Sequence, residues 1–314
     1  MAETTAPART IRFLAPEEAP LLTAAIERCY GGSYDAAWVY DPAEIARRLA
    51  SGRMRSLVGL EGAEVVAHLA FERPRADAVA GHAGQGVVDP RERGHHLFTE
   101  LKRSLADWCT AEGLLGIYSE ATAAHPYSQA ANLALGGHET GFLLGYIPAQ
   151  VDYAAIERAE SGHRRSVALF WLTTNPVPTR VVHPPAWHRE IVTGIYDHNA
   201  IDRELLPPAR VGLPDRPTGL RVVDRPDHNE ATIAIDALGV DVVAELGAAL
   251  RVQGERGRDV VFVELALDDP YTAGLPPAVH DELGVFFGGV VPERDGGDVL
   301  VLQWLNRVEA DPSD

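Results

Sequence analysis

The chain has 314 residues, 46% of them hydrophobic and 23% charged, with a formal net charge of −17. That length and balance describe a folded protein with room for two ordinary cores, and they exclude a disordered chain. So large an acidic excess argues against nucleic acid or an anionic membrane surface as partner.

Two cysteines, Cys29 and Cys109, each fall inside an apparent helix, so neither a disulfide framework nor a zinc–thiolate site is expected. The opening Met-Ala-Glu-Thr-Thr-Ala-Pro lacks the apolar core of a signal peptide, and no apolar run reaches the length of a membrane span. A cytoplasmic protein is the expectation. Lys102 is the only lysine, the other basic residues being arginine, a bias that suggests a GC-rich bacterial genome.

In chain order, Thr10 to Leu14 reads as a strand. Ala15-Pro16-Glu17-Glu18 opens a helix whose Leu22, Ile26 and Cys29 recur at helical spacing and should face inward. Asp41-Pro42 starts a second helix carrying Ile45 and Leu49 and ending at Ser51-Gly52. Met54–Leu60 and Glu64–Glu72 flank Glu61-Gly62 as a hairpin, and Gly81–Val88 is the next strand. After Gly94 comes a helix with Leu97, Leu101, Leu105 and Trp108 on one face, closed by Gly113. Leu114–Ala121 follows as a strand, making a βαβ unit with parallel strands. His125-Pro126-Tyr127-Ser128 begins a short helix, and Gly141–Ile147 and Val167–Thr173 close the sheet. The polar Asp152–Arg164 between them reads as an excursion or lid.

The junction Gly86-Val87-Val88-Asp89-Pro90-Arg91-Glu92-Arg93-Gly94-His95-His96-Leu97-Phe98 concentrates the chemistry. It is a strand, an arginine-bearing turn and a helix start. A helix N-terminus offers unpaired amides and a positive dipole end to a phosphate, and Gly94 lets backbone approach a ligand. Arg91, Arg93, His95, His96, Lys102 and Arg103 form a basic island in an acidic chain. The pattern resembles the acyl-CoA loop of the GNAT N-acetyltransferases, a hydrophobic strand followed by Arg/Gln-x-x-Gly-x-Gly/Ala. Arg91 and Gly94 match its first two fixed positions, whereas His96 stands where the family has Gly or Ala. The element order β-α-α-β-β-β-α-β-α-β-β over about the first 175 residues is also that of the GNAT fold.

A repeat extends the resemblance. Glu120 through Ser128 recurs as Glu264 through Thr272, Gly145-Tyr-Ile-Pro148 as Gly289-Val-Val-Pro292, and Val167–Leu172 as Leu300–Leu305. The fold expected is therefore α/β (α+β): tandem GNAT folds, each a mixed, mostly antiparallel twisted sheet with a central βαβ unit and flanking helices. Residues 1–177 form the domain with the acyl-CoA loop. Residues 178–314 form a degenerate copy, divided from the first at Asn175-Pro-Val-Pro178. In that copy Pro185–His198 is a helix with Ile191 and Ile195 inward, and Leu206–Gly219 a long loop. Asp241 caps the helix Val242–Arg251 where a phosphate loop would need basic residues. Gly254–Arg258 holds glycine and arginine but follows that helix.

The resemblance implies an acetyl-CoA-dependent N-acetyltransferase acting on a small-molecule amine. Val87 and Val88 would hold pantetheine through their backbone, and Arg91, Arg93, Gly94, His95, His96 and Leu97 would meet the diphosphate. Ser128 takes the place of the family's cofactor-binding asparagine. Because an alkylammonium has a pKa near ~10, a base or water relay must deprotonate it. Glu120 is the first candidate, with His125 and Glu139 next; its recurrence as Glu264 also suits a structural carboxylate. The family's thiolate-protonating tyrosine falls on Leu135, leaving Tyr127 or His125 to substitute. No histidine spacing gives a metal motif, so no metal is expected. A homodimer is compatible with the sequence. The alternatives are a non-catalytic acyl-CoA-binding protein and a transferase of a larger acyl group.

Overall fold

The computed structural model describes residues 9–34, 36–149, 163–206, 212–294, 296–306 and 308. The expected excursion at Asp152–Arg164 lies almost wholly outside the described residues, as does part of the loop at Leu206–Gly219. Strand β1 (Arg9–Phe13) leads through a 3-10 turn into α1 (Ala19–Tyr30) and α2 (Pro42–Ala50). Asp41 caps α2 by accepting from the Ala43 amide at 2.9 Å, and Pro42 sits where no intrahelical donor is needed. Three antiparallel strands follow: β2 (Met54–Glu61), β3 (Glu64–Glu72) and β4 (Ala80–Val88). Helix α3 (Leu97–Ala111) then crosses to β5 (Gly116–Thr122), which runs parallel to β4. After α4 (Tyr127–Leu133), β6 (His138–Ile147) and β7 (Arg165–Thr173) complete the run.

The remainder begins with β8 (Arg180–Val182), α5 (Arg189–His198) and β9 (Arg203–Leu205). Then come β10 (Gly219–Arg225), β11 (Glu230–Ala237), α6 (Val242–Glu255) and β12 (Val260–Ala266). The short α7 (Ala278–Asp281) precedes β13 (Phe286–Arg294) and β14 (Gly297–Leu305).

Twelve strands make one mixed, mostly antiparallel sheet in the order β1-β2-β3-β4-β5-β7-β6-β13-β14-β12-β11-β10. The order β3-β4-β5-β7-β6 recurs as β10-β11-β12-β14-β13, with β11 and β12 parallel as β4 and β5 are. The two runs meet where β6 and β13 pair through Gly141 and Gly289. A Cβ on Gly141 would lie 2.2 Å from the Gly288 carbonyl oxygen and 2.3 Å from the Gly289 Cα, so only hydrogen fits at this crossing.

Helical spacing fills the first core as expected: Leu97, Leu101, Leu105 and Cys109 on α3 pack with Leu69, Phe71 and Ile117 of the sheet. Each such side chain contributes about 1.5–3 kcal/mol by leaving water. Trp108 packs edge-on against Phe13 and Phe71, at ring separations of 5.0 and 5.6 Å. Burial pushes the Cys109 thiol up to about 12, which suits an inert core residue. The second core recruits Ala80 and Trp171 from the first half, so the cores are continuous across the seam.

One helical phase differs from expectation. On α5, Ile191 is 47% exposed, whereas Val192 and Tyr196 are buried; Ile195 only borders the core. The Tyr196 hydroxyl donates to buried Asp298 at 2.7 Å, within a network holding Arg203, Glu293 and Arg180. A tyrosine with a buried partner for its hydroxyl turned the helix by about one residue.

Candidate active site

The site begins with a fork. β4 and β5 pair in register only from Ala80 and Gly116 to His82 and Tyr118. Past that point Gln85 takes a left-handed φ of +53°, the register of β4 on β3 shifts, and the Gln85 carbonyl accepts from His68 Nδ1 at 3.0 Å. This bulge bends β4 away from β5. Between them opens a cavity of about 470 Å³, bordered on the β4 side by Ala83, Gly84, Gln85 and Gly86. Val87 and Val88 continue β4 toward the turn, Val87 with its side chain in the core beside α1. Phe98 of α3 lies against the strand at Gly86, where a Cβ would stand 2.4 Å from its ring.

Beyond β4, Asp89 shapes the turn. Its Oδ1 accepts from the Arg91 amide at 3.0 Å, and its carboxylate holds the Arg91 guanidinium at 2.9 and 2.6 Å. Arg91 also reaches Glu64 at 2.8 Å. The Arg91 bonds hold the Asp89 carboxyl far below the usual carboxylate range. Two carboxylates thus hold the Arg91 guanidinium, which pins the loop and stays largely exposed.

Gly94 has φ +83° and open space where a Cβ would stand. His96, at φ +57°, is the residue before the first turn of α3. Glycine suits such a left-handed position, and histidine is among the few other residues enriched there. Among the described residues, no carbonyl accepts the amides of Gly94, His95, His96, Leu97 or Phe98. Leu97 is buried, so it offers a ligand only its amide. Arg93, His95 and His96 stay at the surface, but Lys102 leaves the expected basic island. Placed four residues after Phe98, it faces the sheet and lines the cavity.

Glu120 lines the cavity and forms an ion pair with His82, two strands meeting through side chains 38 residues apart. Burial alone would raise Glu120 and lower His82, but each partner's charge outweighs it, leaving Glu120 below and His82 above its ordinary value. Gly84 makes room for this imidazole, since a Cβ there would lie 2.4 Å from it. His125 and Ser128 also line the cavity. Tyr127 does not: it is 66% exposed, its ring 5.2 Å from that of His125, because the first residue of α4 faces outward. The cavity's tyrosines are Tyr30, Tyr34 and Tyr146, with Trp38 alongside. Burial raises the Tyr146 phenol well above its ordinary value, so it stays neutral.

Lys102 is buried, donates to the Asn132 carbonyl oxygen, and is lowered by desolvation to about 8, with Glu120 pulling the other way. Three polar atoms of cavity-lining residues are buried without a protein partner: Gln85 Oε1, Ser128 Oγ and Asn132 Nδ2. Buried polar atoms without a protein partner take one from a bound ligand or from water. The far half contributes too, since Arg225 at the end of β10 and His228 in the turn to β11 line the cavity.

The corresponding junction of the second half is built shut. Asp241 makes no side-chain cap on α6, contrary to expectation. Its Oδ1 instead accepts from the Thr218 amide and hydroxyl at 2.8 and 2.7 Å. The Gly239 amide donates to the Thr218 hydroxyl and the Val240 amide to Pro214, so these donors are used. Glu264, in the place of Glu120, binds Arg294 at 2.7 Å, and strand register puts Thr232 where His82 stands. Arg258 of the Gly254–Arg258 segment is held by Asp224 at 2.7 Å.

No family model matches the chain, and no curated protein matches it. Solved structures similar to it are N-acetyltransferases of the GNAT type. One is the ribosomal-protein-S18-alanine N-acetyltransferase of Escherichia coli, 16% identical, covering 55% of this chain and 97% of that one with a TM-score of 0.42. An acetyltransferase of the GNAT family from Streptococcus pneumoniae is 14% identical, covering 53% and 99%, with a TM-score of 0.43. A phosphinothricin acetyltransferase of the GNAT superfamily from Sinorhizobium meliloti, in complex with AcCoA, is 19% identical, covering 52% and 88%, also with a TM-score of 0.43. Likenesses at this level are silent on substrate. No helix among the described residues is long and apolar enough to cross a membrane.

Proposed function

We propose that the protein is an acetyl-CoA-dependent N-acetyltransferase acting on a small amine, with its active site in the first half. The observation that carries this reading is the fork itself. It presents an open strand edge, three buried polar atoms without a protein partner and the Glu120 carboxylate, itself paired with His82, beside a helix start whose amides no carbonyl accepts. Pantetheine would lie along Ala83–Val88, and the diphosphate on the amides from Gly94 to Phe98, with His95 and His96 beside it.

Glu120, the member of the pair that lines the cavity, takes the proton of the incoming ammonium and shares it with His82. The amine nitrogen then attacks the thioester carbon; as the C–N bond forms and the C–S bond breaks, the nitrogen loses its second proton to water. Lys102, at about 8, matches an ordinary thiol near ~8.5 and can return a proton to the departing thiolate. The acceptor enters past Tyr30, Tyr34 and Trp38, with Arg225 and His228 as the opposite wall. The second half is read as a duplicate that kept the strand order and lost the phosphate junction, so one CoA should bind per chain. Two per chain would overturn that part.

The test is Glu120→Gln. Turnover with a panel of amines should fall by about 10²–10⁴, with CoA affinity nearly unchanged. In the parent enzyme kcat/KM should rise with pH through the raised His82 value. In the variant that inflection should move to lower pH, because the partner charge is gone and burial remains. Unchanged turnover, or an inflection that stays in place, refutes the base assignment. Tight CoA binding with no turnover on any amine would favour a non-catalytic acyl-CoA-binding protein.

A further inference from the structure

Away from the cavity, the seam between the halves brings together three side chains that the acyl-transfer reading leaves unused. His138 and Glu139 open β6, and His198 ends α5, some sixty residues later. One ligand atom from each lies within 4.8 Å of the others, with His198 Nε2 and Glu139 Oε2 at 4.0 Å. The two imidazole rings stand 4.4 Å apart, tilted by 60°. The backbone around them is fixed: Asn199, next to His198, donates to the Glu139 carbonyl at 3.2 Å and to the Ile195 carbonyl at 3.0 Å. The end of α5 is therefore clamped to the start of β6 whether or not the side chains are engaged.

The geometry points to a transition-metal site formed by His138, Glu139 and His198, with Zn²⁺ the ion its ligands suit. Two imidazoles and one carboxylate are a borderline donor set, which favours Zn²⁺ over the all-oxygen cages of Ca²⁺ and Mg²⁺. Ligand atoms around a tetrahedral Zn²⁺ stand about 3.3 Å apart, given metal–ligand distances near ~2.0 Å. The ligand atoms, now within 4.8 Å of one another, have to close to that spacing, and the exposed His198 side chain has the freedom to move. The fourth position is left to water. Cations are also favoured at a helix C-terminus, where His198 sits. A metal here would join an edge of the first half's sheet to a helix of the second, at a place separate from the cavity.

The test uses the untagged full-length chain, stripped with a chelator, and ZnCl₂ as probe. Calorimetric titration should find one Zn²⁺ per chain at micromolar or tighter affinity. His198→Ala and His138→Ala should each weaken it by at least tenfold. The Co²⁺-loaded chain should show d–d absorption of tetrahedral intensity, lost in both variants. The thermal midpoint of the parent chain should rise with Zn²⁺, and that of His198→Ala should not. Absence of binding at submillimolar Zn²⁺, or binding that survives both substitutions, overturns the proposal.

Discussion

Gly94 allows a sharp separation between backbone strain and blocked ligand approach. Its φ of +83° costs a residue with a Cβ about 1–2 kcal/mol, yet nothing lies within 4 Å of where that Cβ would stand. Gly94→Ala and Gly94→Trp therefore share the strain but differ in bulk. Against a typical stability of about 5–15 kcal/mol both should fold, with thermal midpoints lowered by only a few degrees. The tryptophan would occupy the space in front of the amides from Gly94 to Phe98. Losing two charge-assisted hydrogen bonds at about 1.5–3 kcal/mol each costs about 3–6 kcal/mol, or about 10²–10⁴ in Kd. The alanine variant should bind within about tenfold of the parent. Calorimetric titration with CoA, alongside a thermal melt of each variant, reads both effects. Parent-like affinity in Gly94→Trp would falsify the placement of the diphosphate. An equal loss in both variants would show that strain, not occupancy, governs the loop.

Two further outcomes follow from buried titratable groups. Lys102 falls from 10.5 to about 8 on burial, so holding its charge costs the fold up to about 3 kcal/mol; the cost is full below about pH 8 and gone above about 10.5. Lys102→Met should be more stable than the parent in denaturant at pH 7, by an amount that shrinks above pH 9, and should turn over poorly; lower stability at pH 7 would sink this account. His68 is fully buried and lowered to about 4 by burial, so the fold loses up to about 3 kcal/mol as pH falls from about 6.5 toward 4. Denaturant midpoints at pH 7, 5.5 and 4.5 should show that decline, and His68→Gln should flatten it; the same decline in the variant would assign it to other groups.

The strand and helix order was legible because local signals set it. Asp41-Pro42 starts α2, Gly113 takes a left-handed φ just after α3, and Glu61-Gly62 turns the first hairpin. The repeat likewise pointed to the recurring strand order. What the sequence could not supply was register. His82 and Glu120 become partners only because β4 and β5 are parallel and aligned at Tyr118, and no spacing rule connects residues 82 and 120. His138, Glu139 and His198 meet through tertiary docking for the same reason. Lys102 was within reach of periodicity, four residues beyond Phe98, but a lone cation among arginines reads first as surface. The ion pairs of Arg91 with Glu64 and Asp89 were out of reach, since Glu64 comes from the neighbouring strand.

The glycine crossing at residues 141 and 289 also bears on how the chain comes to exist. Those partners are 148 positions apart, so the single residue pair that joins β6 to β13 cannot form until β13 is synthesised, and β6 leaves a ribosome with that edge open. An unpaired edge strand on an otherwise formed sheet is a template for pairing with a neighbouring nascent chain. Contacts of such sequence separation form late and slow the overall reaction. The first half, though it carries the whole candidate loop and nearly all the cavity, is thus exposed to self-association for as long as translation of the second half takes. Slower elongation after β7, or a stop between the halves, would lengthen that interval and favour aggregates over the folded chain.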